Sequence, residues 1–280
     1  MKTSQEAYLD FIGRLTLLIR KNPDLIITTL SNIFTMRLIG NKTHGDLAEI
    51  AISEFINQYM YDFKSKHVGK DLFRAKEHEE DLQIRNEIYQ LDFAISLKAY
   101  GDGPLQLSTD KNFKMFPRLQ RERDVITDTK AIQQIFDDEA FSEFSSINVL
   151  PLIYREDAKQ CNIMVFDFHK VRTKTEEIRL VQGGRRTHPV YQFLDAEQKY
   201  ICEVRYGDAR ANALQRGFWT NTKNALPYFS SVTGGWINYS HNLLLVNLFS
   251  HALLSTPNGQ SKALESLKID ISEQKNQIQK

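Results

Sequence analysis

The stretch HEEDLQIRNEIYQLDFAISLKAYGDG, residues 78–103, contains two apolar runs separated by a short polar segment. The first run, EDLQIRN, begins with the acidic pair Glu80-Asp81, and the second, YQLDFAISLKAY, carries Lys98 near its end. Their alternation predicts an antiparallel hairpin that turns near residues 86–89. Because residues equally distant from a turn face each other, Asp81 is expected opposite residues 94–96.

Alternation along the second run separates a polar face from an apolar face. Successive side chains of a strand point to opposite sides, so one face is predicted to carry Asp92, Ala94, Ser96 and Lys98, and the other Phe93, Ile95 and Leu97. A lysine in a sheet either extends to water or belongs to a site. Asp92, an alternative acid, is about 20 Å from Lys98 along an extended strand, too far to serve the same metal.

This arrangement resembles the core of the PD-(D/E)xK nuclease superfamily. In that core an acid begins one strand, an acid-x-lysine triplet lies on the next, and a preceding helix usually carries a glutamate. Glu80 and Asp81 stand where the superfamily has Pro-Asp, Ser96-Leu97-Lys98 stands for the triplet, and Glu49 matches the helix glutamate. Ser96 departs from the pattern because it replaces an acid. A Ser-x-Lys version resembles type II restriction endonucleases of this superfamily in which another residue supplies the acid, and Glu49 is the candidate.

The resemblance covers residues 43–110 and implies a fold, a cofactor and a substrate. The implied fold is α/β, a restriction-endonuclease-like mixed β-sheet flanked by helices, with helical additions at both ends. The implied cofactor is Mg²⁺, a hard cation with Asp81 and Glu49 as ligands. Lys98 would orient the attacking water or stabilise developing charge, and Ser96 would hold a metal-bound water. The implied substrate is double-stranded DNA, and a twofold cleavage site favours a homodimer.

A second hairpin, HPVYQFLDAEQKYICEVRYGD, offers a rival catalytic triplet, Glu203-Val204-Arg205. Arginine does not lose its proton in proteins, so Arg205 could clamp a phosphate but could not act as a base. Gln106, on the predicted strand PLQLSTD, is expected across from Lys98, where it would either hydrogen-bond the site or lie at an edge. Glu203, Asp92 and Gln106 are therefore the alternative catalytic residues.

DNA contacts are predicted from a basic, amide-rich segment and a glycine-arginine turn. The segments ANALQRGFWTNTKNALPYF and HNLLLVNLFSHALL are both expected to be helical. Arg, Asn and Gln read base edges, whereas Lys and backbone amides hold phosphates. The alternative is a solvated helix with an aromatic core stripe. The DNA-binding candidates, including those of the GGRRTH turn, are Arg185, Arg186, His188, Arg205, Arg210, Asn212, Gln215, Arg216, Asn221 and Lys223.

The chain organisation predicts one nuclease domain over residues 1–280. Residues 1–42 are expected to form two helices around the NPD segment, and 43–110 the catalytic core, with Thr43 as a helix N-cap. Residues 111–256 would complete the sheet with a helix at 127–144, buried strands in NVLPLIYRE and QCNIMVFDF, and the DNA-contacting elements. Residues 257–280 form a polar, helix-compatible tail.

Composition restricts the remaining possibilities. The 280 residues are 41% hydrophobic and 25% charged, with a net charge of +1, so any DNA-binding field must be local. Cys161 and Cys202 are expected to be reduced core residues of a cytoplasmic protein, and no apolar run predicts a membrane segment. Two other functions stay open: a non-catalytic DNA-binding or defence-associated protein with a degenerate nuclease core, and a structure-specific repair nuclease.

Overall fold

The computed structural model describes residues 3–39, 44–68, 81–110, 112–141, 148–183, 188–206, 215–254 and 257–278. In these residues the helices are α1 (Ser4–Lys21), α2 (Pro23–Ile39), α3 (His44–Tyr59), α4 (Met115–Gln120), α5 (Thr129–Asp137), α6 (Phe168–Lys174), α7 (Leu243–Leu254) and α8 (Pro257–Ile278). The strands are β1 (Phe63–His67), β2 (Leu82–Asn86), β3 (Leu91–Gly101), β4 (Pro104–Ser108), β5 (Val125–Ile126), β6 (Val149–Arg155), β7 (Gln160–Phe166), β8 (Glu177–Val181), β9 (Val190–Leu194), β10 (Tyr200–Arg205), β11 (Gly217–Asn221), β12 (Phe229–Ser231) and β13 (Ile237–Asn238).

The first sheet is mixed and contains the predicted hairpin. Its strand order is β1-β2-β3-β6-β7-β12, and β13 pairs separately with β7. Strands β1, β2 and β3 are antiparallel neighbours, whereas β3 and β6 run parallel. Leu82 pairs with Ile95 and Asn86 with Leu91, which confirms the hairpin. The Asn86 side chain closes the turn by accepting hydrogen bonds from the backbone amides of Ile88 and Tyr89, at 3.0 and 3.1 Å.

Helices cover one face of this sheet. Helices α1 and α3 pack on β3, whose Phe93, Ile95 and Leu97 belong to the core under these helices, and α2 packs against α1 and α3. Helix α1 begins at a capping box formed by Thr3 and Glu6, and Pro23 starts α2 directly after it, which confirms the two predicted N-terminal helices. The predicted helix cap Thr43 lies outside the described residues.

A second, antiparallel sheet packs against the other face of the first. Its order is β4-β11-β10-β9-β8-β5. Apolar residues of β6 and β7, such as Ile153 and Phe166, join its core, and the Phe166 and Phe218 rings are 6.4 Å apart. The protein is therefore α/β, with helices and a second sheet on opposite faces of a mixed sheet.

The placement predicted for PLQLSTD is wrong. This segment forms β4, which leaves the first sheet after β3 and pairs with β11, so Gln106 lies opposite Trp219 instead of Lys98. The short segment between β3 and β4 turns the chain into the second sheet. There the Gly103 amide donates to the Thr222 hydroxyl at 2.8 Å, a contact between residues distant in sequence.

The helix predicted through GFWTN is also wrong, because this segment is strand β11. Phe218 and Thr220 are buried and alternate with half-buried Trp219 and Asn221, a period of two that fits a strand. Gly217 has φ of 99°, and a Cβ there would lie 2.1 Å from the Ser108 carbonyl oxygen. Glycine therefore permits the close approach of β11 to β4.

The other predicted elements are largely confirmed. NVLPLIYRE forms β6, QCNIMVFDF forms β7, and the HPVYQFLDAEQKYICEVRYGD segment forms the β9–β10 hairpin. In the helix expected over 127–144, Thr129–Asp137 is helical and helical structure resumes at residues 139–141 after a break at Asp138; residues 142–144 lie outside the described part. HNLLLVNLFSHALL contains α7, and the polar tail forms α8. In the described part of the chain, no helix combines the length and apolar character needed to cross a membrane.

Candidate active site

Asp81 directly precedes the first residue of β2, at the point where the pairing of β2 with β1 and β3 stops. Its backbone amide donates to the Ile95 carbonyl at 3.1 Å, and its carbonyl accepts from the Val68 amide at 3.0 Å. Continuing the strand pairing by one residue places Asp81 directly opposite Ser96. The backbone therefore fixes Asp81 between two strands, as the distance from the turn predicts.

The Asp81 carboxylate is held by two donors from β3. Oδ2 accepts a hydrogen bond from the Leu97 amide at 2.6 Å and another from the Ser96 hydroxyl at 3.1 Å. Ser96 and Leu97 are 2% and 3% exposed, so both contacts are largely shielded from water. Charge-assisted hydrogen bonds of this kind are stronger than neutral ones. These contacts orient the carboxylate at the point where the pairing of β2 with β3 ends.

Lys98 lies two residues beyond Ser96 on the same face of β3. The predicted alternation is confirmed, because Phe93, Ile95 and Leu97 face the helix-side core while Lys98 is only half-buried. Among the described residues, the Lys98 ammonium has neither an ion-pair partner nor a hydrogen-bond acceptor. Asp81 therefore meets Ser96 where the pairing of β2 with β3 ends, and Lys98 lies two residues beyond Ser96 on the same face of β3.

Glu49 reaches the same end of the sheet from the helix side. It projects from α3, and its Oε2 lies 2.9 Å from Nε2 of His67 on β1. His67 pairs with Leu82, whose side chain is buried under the helices, so the Glu49–His67 pair lies on the helix-covered face. Asp81 shares the opposite face with Ser96. The two predicted metal ligands thus approach the end of β2 from opposite faces.

The donor set at this strand end contains few anionic groups. Within the described ranges, no cluster of three or more His, Cys, Asp or Glu side chains is arranged to hold a metal ion. Mg²⁺ nevertheless binds many proteins through one or two carboxylates, with water and substrate phosphates completing its shell. The Asp81 carboxylate and the adjacent Ser96 hydroxyl fit that mode.

Asn148, which the sequence interpretation missed, fixes β3 from its other edge. Its side-chain amide donates to the Ala94 carbonyl at 3.0 Å, and its own carbonyl accepts from the Ser96 amide at 2.9 Å. His67 was missed as well. The strand period of FKSKH would have placed His67 on an identifiable face, but its contact with Glu49 depends on the packing of α3.

The alternative acids lie elsewhere. Asp92 is exposed near the hairpin turn and pairs with Arg85 at 3.3 Å. Glu203 lies in the second sheet, is 3% exposed and accepts from Arg205 at 2.8 Å. The Arg205 guanidinium also stacks on Trp219, 3.7 Å from the ring centre. Gln106 is buried and donates to the Arg216 carbonyl at 2.9 Å. The Arg205 contacts give Glu203 a neutralising partner and a structural role in the second sheet.

The described DNA-binding candidates lie at the ends of strands β9, β10 and β11 of the second sheet: His188, Arg205, Gln215 and Arg216 at one end, Asn221 and Lys223 at the other. The His188 ring stacks on Tyr206, with ring centres 5.2 Å apart. Asn221 accepts from the backbone amides of Lys223 and Asn224 and so forms the turn after β11. The Gln215 and Lys223 side chains are exposed and available to a partner. Outside the described residues lie Glu80, Arg185, Arg186, Arg210 and Asn212.

Comparisons with known proteins give no match. No protein-family model, curated protein or solved structure resembles the chain closely enough to be reported. Function is therefore inferred from the geometry around Asp81, Ser96 and Lys98.

Proposed function

We propose that the protein is a magnesium-dependent, sequence-specific endonuclease for double-stranded DNA, of the PD-(D/E)xK type and most similar to type II restriction enzymes. One observation carries the proposal: Asp81 is hydrogen-bonded to Ser96 and Leu97 where the pairing of β2 with β3 ends, with Lys98 on the same face of β3 as Ser96. An oriented carboxylate beside a lysine is the minimal equipment for metal-assisted phosphodiester hydrolysis.

The order of the elements supports the same proposal. A helix with a glutamate, α3, precedes a strand that begins at an acid, β2, and a strand that carries the lysine triplet, β3. These three elements pack together, and the sheet is mixed. This is the order in which the PD-(D/E)xK resemblance places its functional residues.

The residues divide the chemistry in the following way. Asp81 would hold Mg²⁺ together with a phosphate oxygen of the substrate, and the bound ion would polarise the phosphate and activate water. Ser96 and the Leu97 amide keep the carboxylate in its orientation. Lys98 donates hydrogen bonds to the attacking water or to the developing negative charge. Glu49 is held by His67 on the other face of the sheet, so in this proposal Asp81 alone provides the protein carboxylate.

The DNA partner and the homodimer belong to this proposal. Exposed Gln215, with His188, lies at one end of the strands β9, β10 and β11, and exposed Lys223 lies beyond the opposite end of β11; these residues would contribute base and phosphate contacts. A twofold DNA site would be cut by two chains related by the same symmetry.

Plasmid cleavage tests the activity directly. The parent protein is incubated with supercoiled plasmid, with Mg²⁺ or with EDTA, beside Lys98→Met and a control, Lys130→Met, that removes an exposed lysine of α5, away from β3 and from the predicted DNA contacts. We expect discrete fragments that require Mg²⁺, none with Lys98→Met, and fragments with the control. Absence of cutting by the parent, or equal cutting by Lys98→Met, would remove the assignment. Random nicking would instead indicate a repair nuclease.

A second function is favoured by the composition of the site. In the described residues, Ser96 stands where an acid would bind metal, and no three-ligand cluster is present. A chain with that donor set could bind DNA without hydrolysing it, as a defence-associated binding protein. Mobility-shift assays distinguish this function, because the parent would retard plasmid or duplex DNA with equal affinity in Mg²⁺ and EDTA and leave it uncut.

A further inference from the structure

Helices α7 and α8 expose apolar side chains to an unusual extent. Helix α7 has the sequence LLLVNLFSHALL, yet none of its side chains from Leu243 to Ser250 is fully buried. Leu243 is 70% exposed. Helix α8 exposes Leu264, Ile269 and Ile271 by 52%, 57% and 40%. An apolar helix of a globular protein is normally buried on all sides, so this pair lacks a covering partner among the described residues.

The contacts of the two helices leave one side open. Helix α7 rests on α2, where the Asn242 amide donates to the Thr35 hydroxyl at 2.6 Å and fixes the start of the helix. Helix α8 packs mainly on α7. Its apolar residues Leu264, Leu267 and Ile271 recur at spacings of three and four, which defines one stripe, and two of the three are exposed. The stripe therefore continues the apolar surface of α7 outward.

We propose that α7 and α8 form the surface on which a second copy of this chain docks, through a twofold bundle of four helices. Charge supports this occupant. The α8 sequence contains three lysines, Lys262, Lys268 and Lys275, and three acids, Glu265, Asp270 and Glu273. A DNA or anionic lipid surface selects a basic helix face. A helix with equal numbers of both signs can instead face its own copy without net repulsion, as an isologous interface requires.

The size of the surface also suits a dimer. At about 1.5 Å per residue and about 10 Å diameter, α8 covers about 33 by 10 Å and α7 about 18 by 10 Å. The projected surface is therefore about 500 Å² per chain, or about 1,000 Å² for two copies, near the lower limit for a specific interface. This surface is separate from the strand end with Asp81. It gives a location to the homodimer of the proposed function, and its evidence is the exposure of α7 and α8, so a dimer that does not cut DNA would contradict the nuclease assignment alone.

Oligomeric state in solution tests the proposal. The mass of the full chain is measured by light scattering during size-exclusion chromatography over a roughly hundredfold dilution series. The test variant is Leu264→Glu with Ile271→Glu. A matched control, Leu17→Glu with Ile88→Glu, changes two residues of 55% and 53% exposure on other surfaces. Circular dichroism of each variant verifies that helix content is retained.

We expect the parent and the control to have about twice the 32.5 kDa mass of one chain. The dimer dissociation constant of the test variant should be roughly a hundredfold higher or more, because two central apolar contacts become charged. A parent that is monomeric over the whole series would overturn the proposal, as would a test variant that dimerises like the control. Sedimentation of a monomeric parent with anionic vesicles, lost in the test variant, would assign the surface to a membrane.

Discussion

Replacing Asp81 in two different ways should separate its structural role from its chemical one. Asp81→Ala removes the acceptor of the Leu97 amide and the Ser96 hydroxyl, both of which belong to residues that are at most 3% exposed. A buried donor left without an acceptor costs about 1 to 3 kcal/mol. The serine hydroxyl can rotate to another acceptor, whereas the backbone amide cannot, so we expect a loss of about 2 kcal/mol for Asp81→Ala.

Asp81→Asn should behave differently, because both hydrogen bonds end on the single oxygen Oδ2. The asparagine carbonyl can occupy that position and accept both hydrogen bonds, so these two contacts lose their charge assistance alone, about 1 kcal/mol or less. Cleavage needs the anionic ligand, and we expect neither variant to cut DNA. The two variants should therefore lose the same activity but different amounts of stability.

Thermal unfolding and plasmid cleavage measure the two effects on the same samples. At about 2 to 4 °C per kcal/mol, the midpoint of Asp81→Ala should fall by about 4 to 8 °C and that of Asp81→Asn by about 4 °C at most. Equal midpoints for Asp81→Ala and the parent would refute the stabilising role of the contact. Cleavage by Asp81→Asn at the parental rate would refute the role of Asp81 as a metal ligand.

Three further predictions concern other positions. Lys98→Met should retain DNA binding but lose cleavage at every pH from 6 to 9, because methionine carries no charge at any of these pH values. A mobility-shift assay measures the binding, and a series of cleavage assays over this pH range measures the activity. Burial raises the pKa of the Cys161 and Cys202 thiols, and both are fully buried, so neither should react with a thiol reagent until urea unfolds the chain. The hydrogen bond from the Ala140 amide lowers the pKa of Asp138 most, and Arg118 lowers it further, so this carboxylate stabilises the fold above its unfolded pKa and loses that contribution as pH falls through the lower folded value. Asp138→Asn should flatten that acid-range decrease in calorimetry, and an unchanged slope would contradict the prediction.

The elements that sequence reasoning located are those whose contacts are local. The β2–β3 hairpin follows from its turn residues and from alternation in a short segment, and counting from the turn is enough to place Asp81 opposite Ser96. The N-terminal helices follow from their spacing and from Pro23. In each case, neighbours in sequence determine which residues meet.

The second sheet could not be predicted in the same way, because its pairs are distant in sequence. Strand β4 leaves β3 after one tight turn and pairs with β11, more than a hundred residues further along the chain. GFWTN contains aromatic residues at a spacing that suits a helix or a strand, and its pairing with both β4 and β10 decides for the strand. The Glu49–His67 pair likewise depends on how α3 packs, which no local pattern specifies.

The hydrogen bond from Ser96 to Asp81 gives a physical reason for a serine in the position where the superfamily has an acid. A carboxylate at position 96 would place a second negative charge near Oδ2 of Asp81, whereas a hydroxyl donates a hydrogen bond to that oxygen at 3.1 Å. Ser96 therefore orients Asp81 without adding charge, and the site has one fewer anion with which to attract Mg²⁺. The substrate phosphate would have to supply the missing negative ligand.

Metal and DNA binding should then be coupled, each strengthening the other by the same factor. Mg²⁺ affinity measured by calorimetry with Lys98→Met, which we expect to bind DNA without cutting it, should rise at least about fivefold when duplex DNA is present. Equal affinities with and without DNA would show that the protein alone provides the metal shell, and the single-carboxylate account of the site would fail.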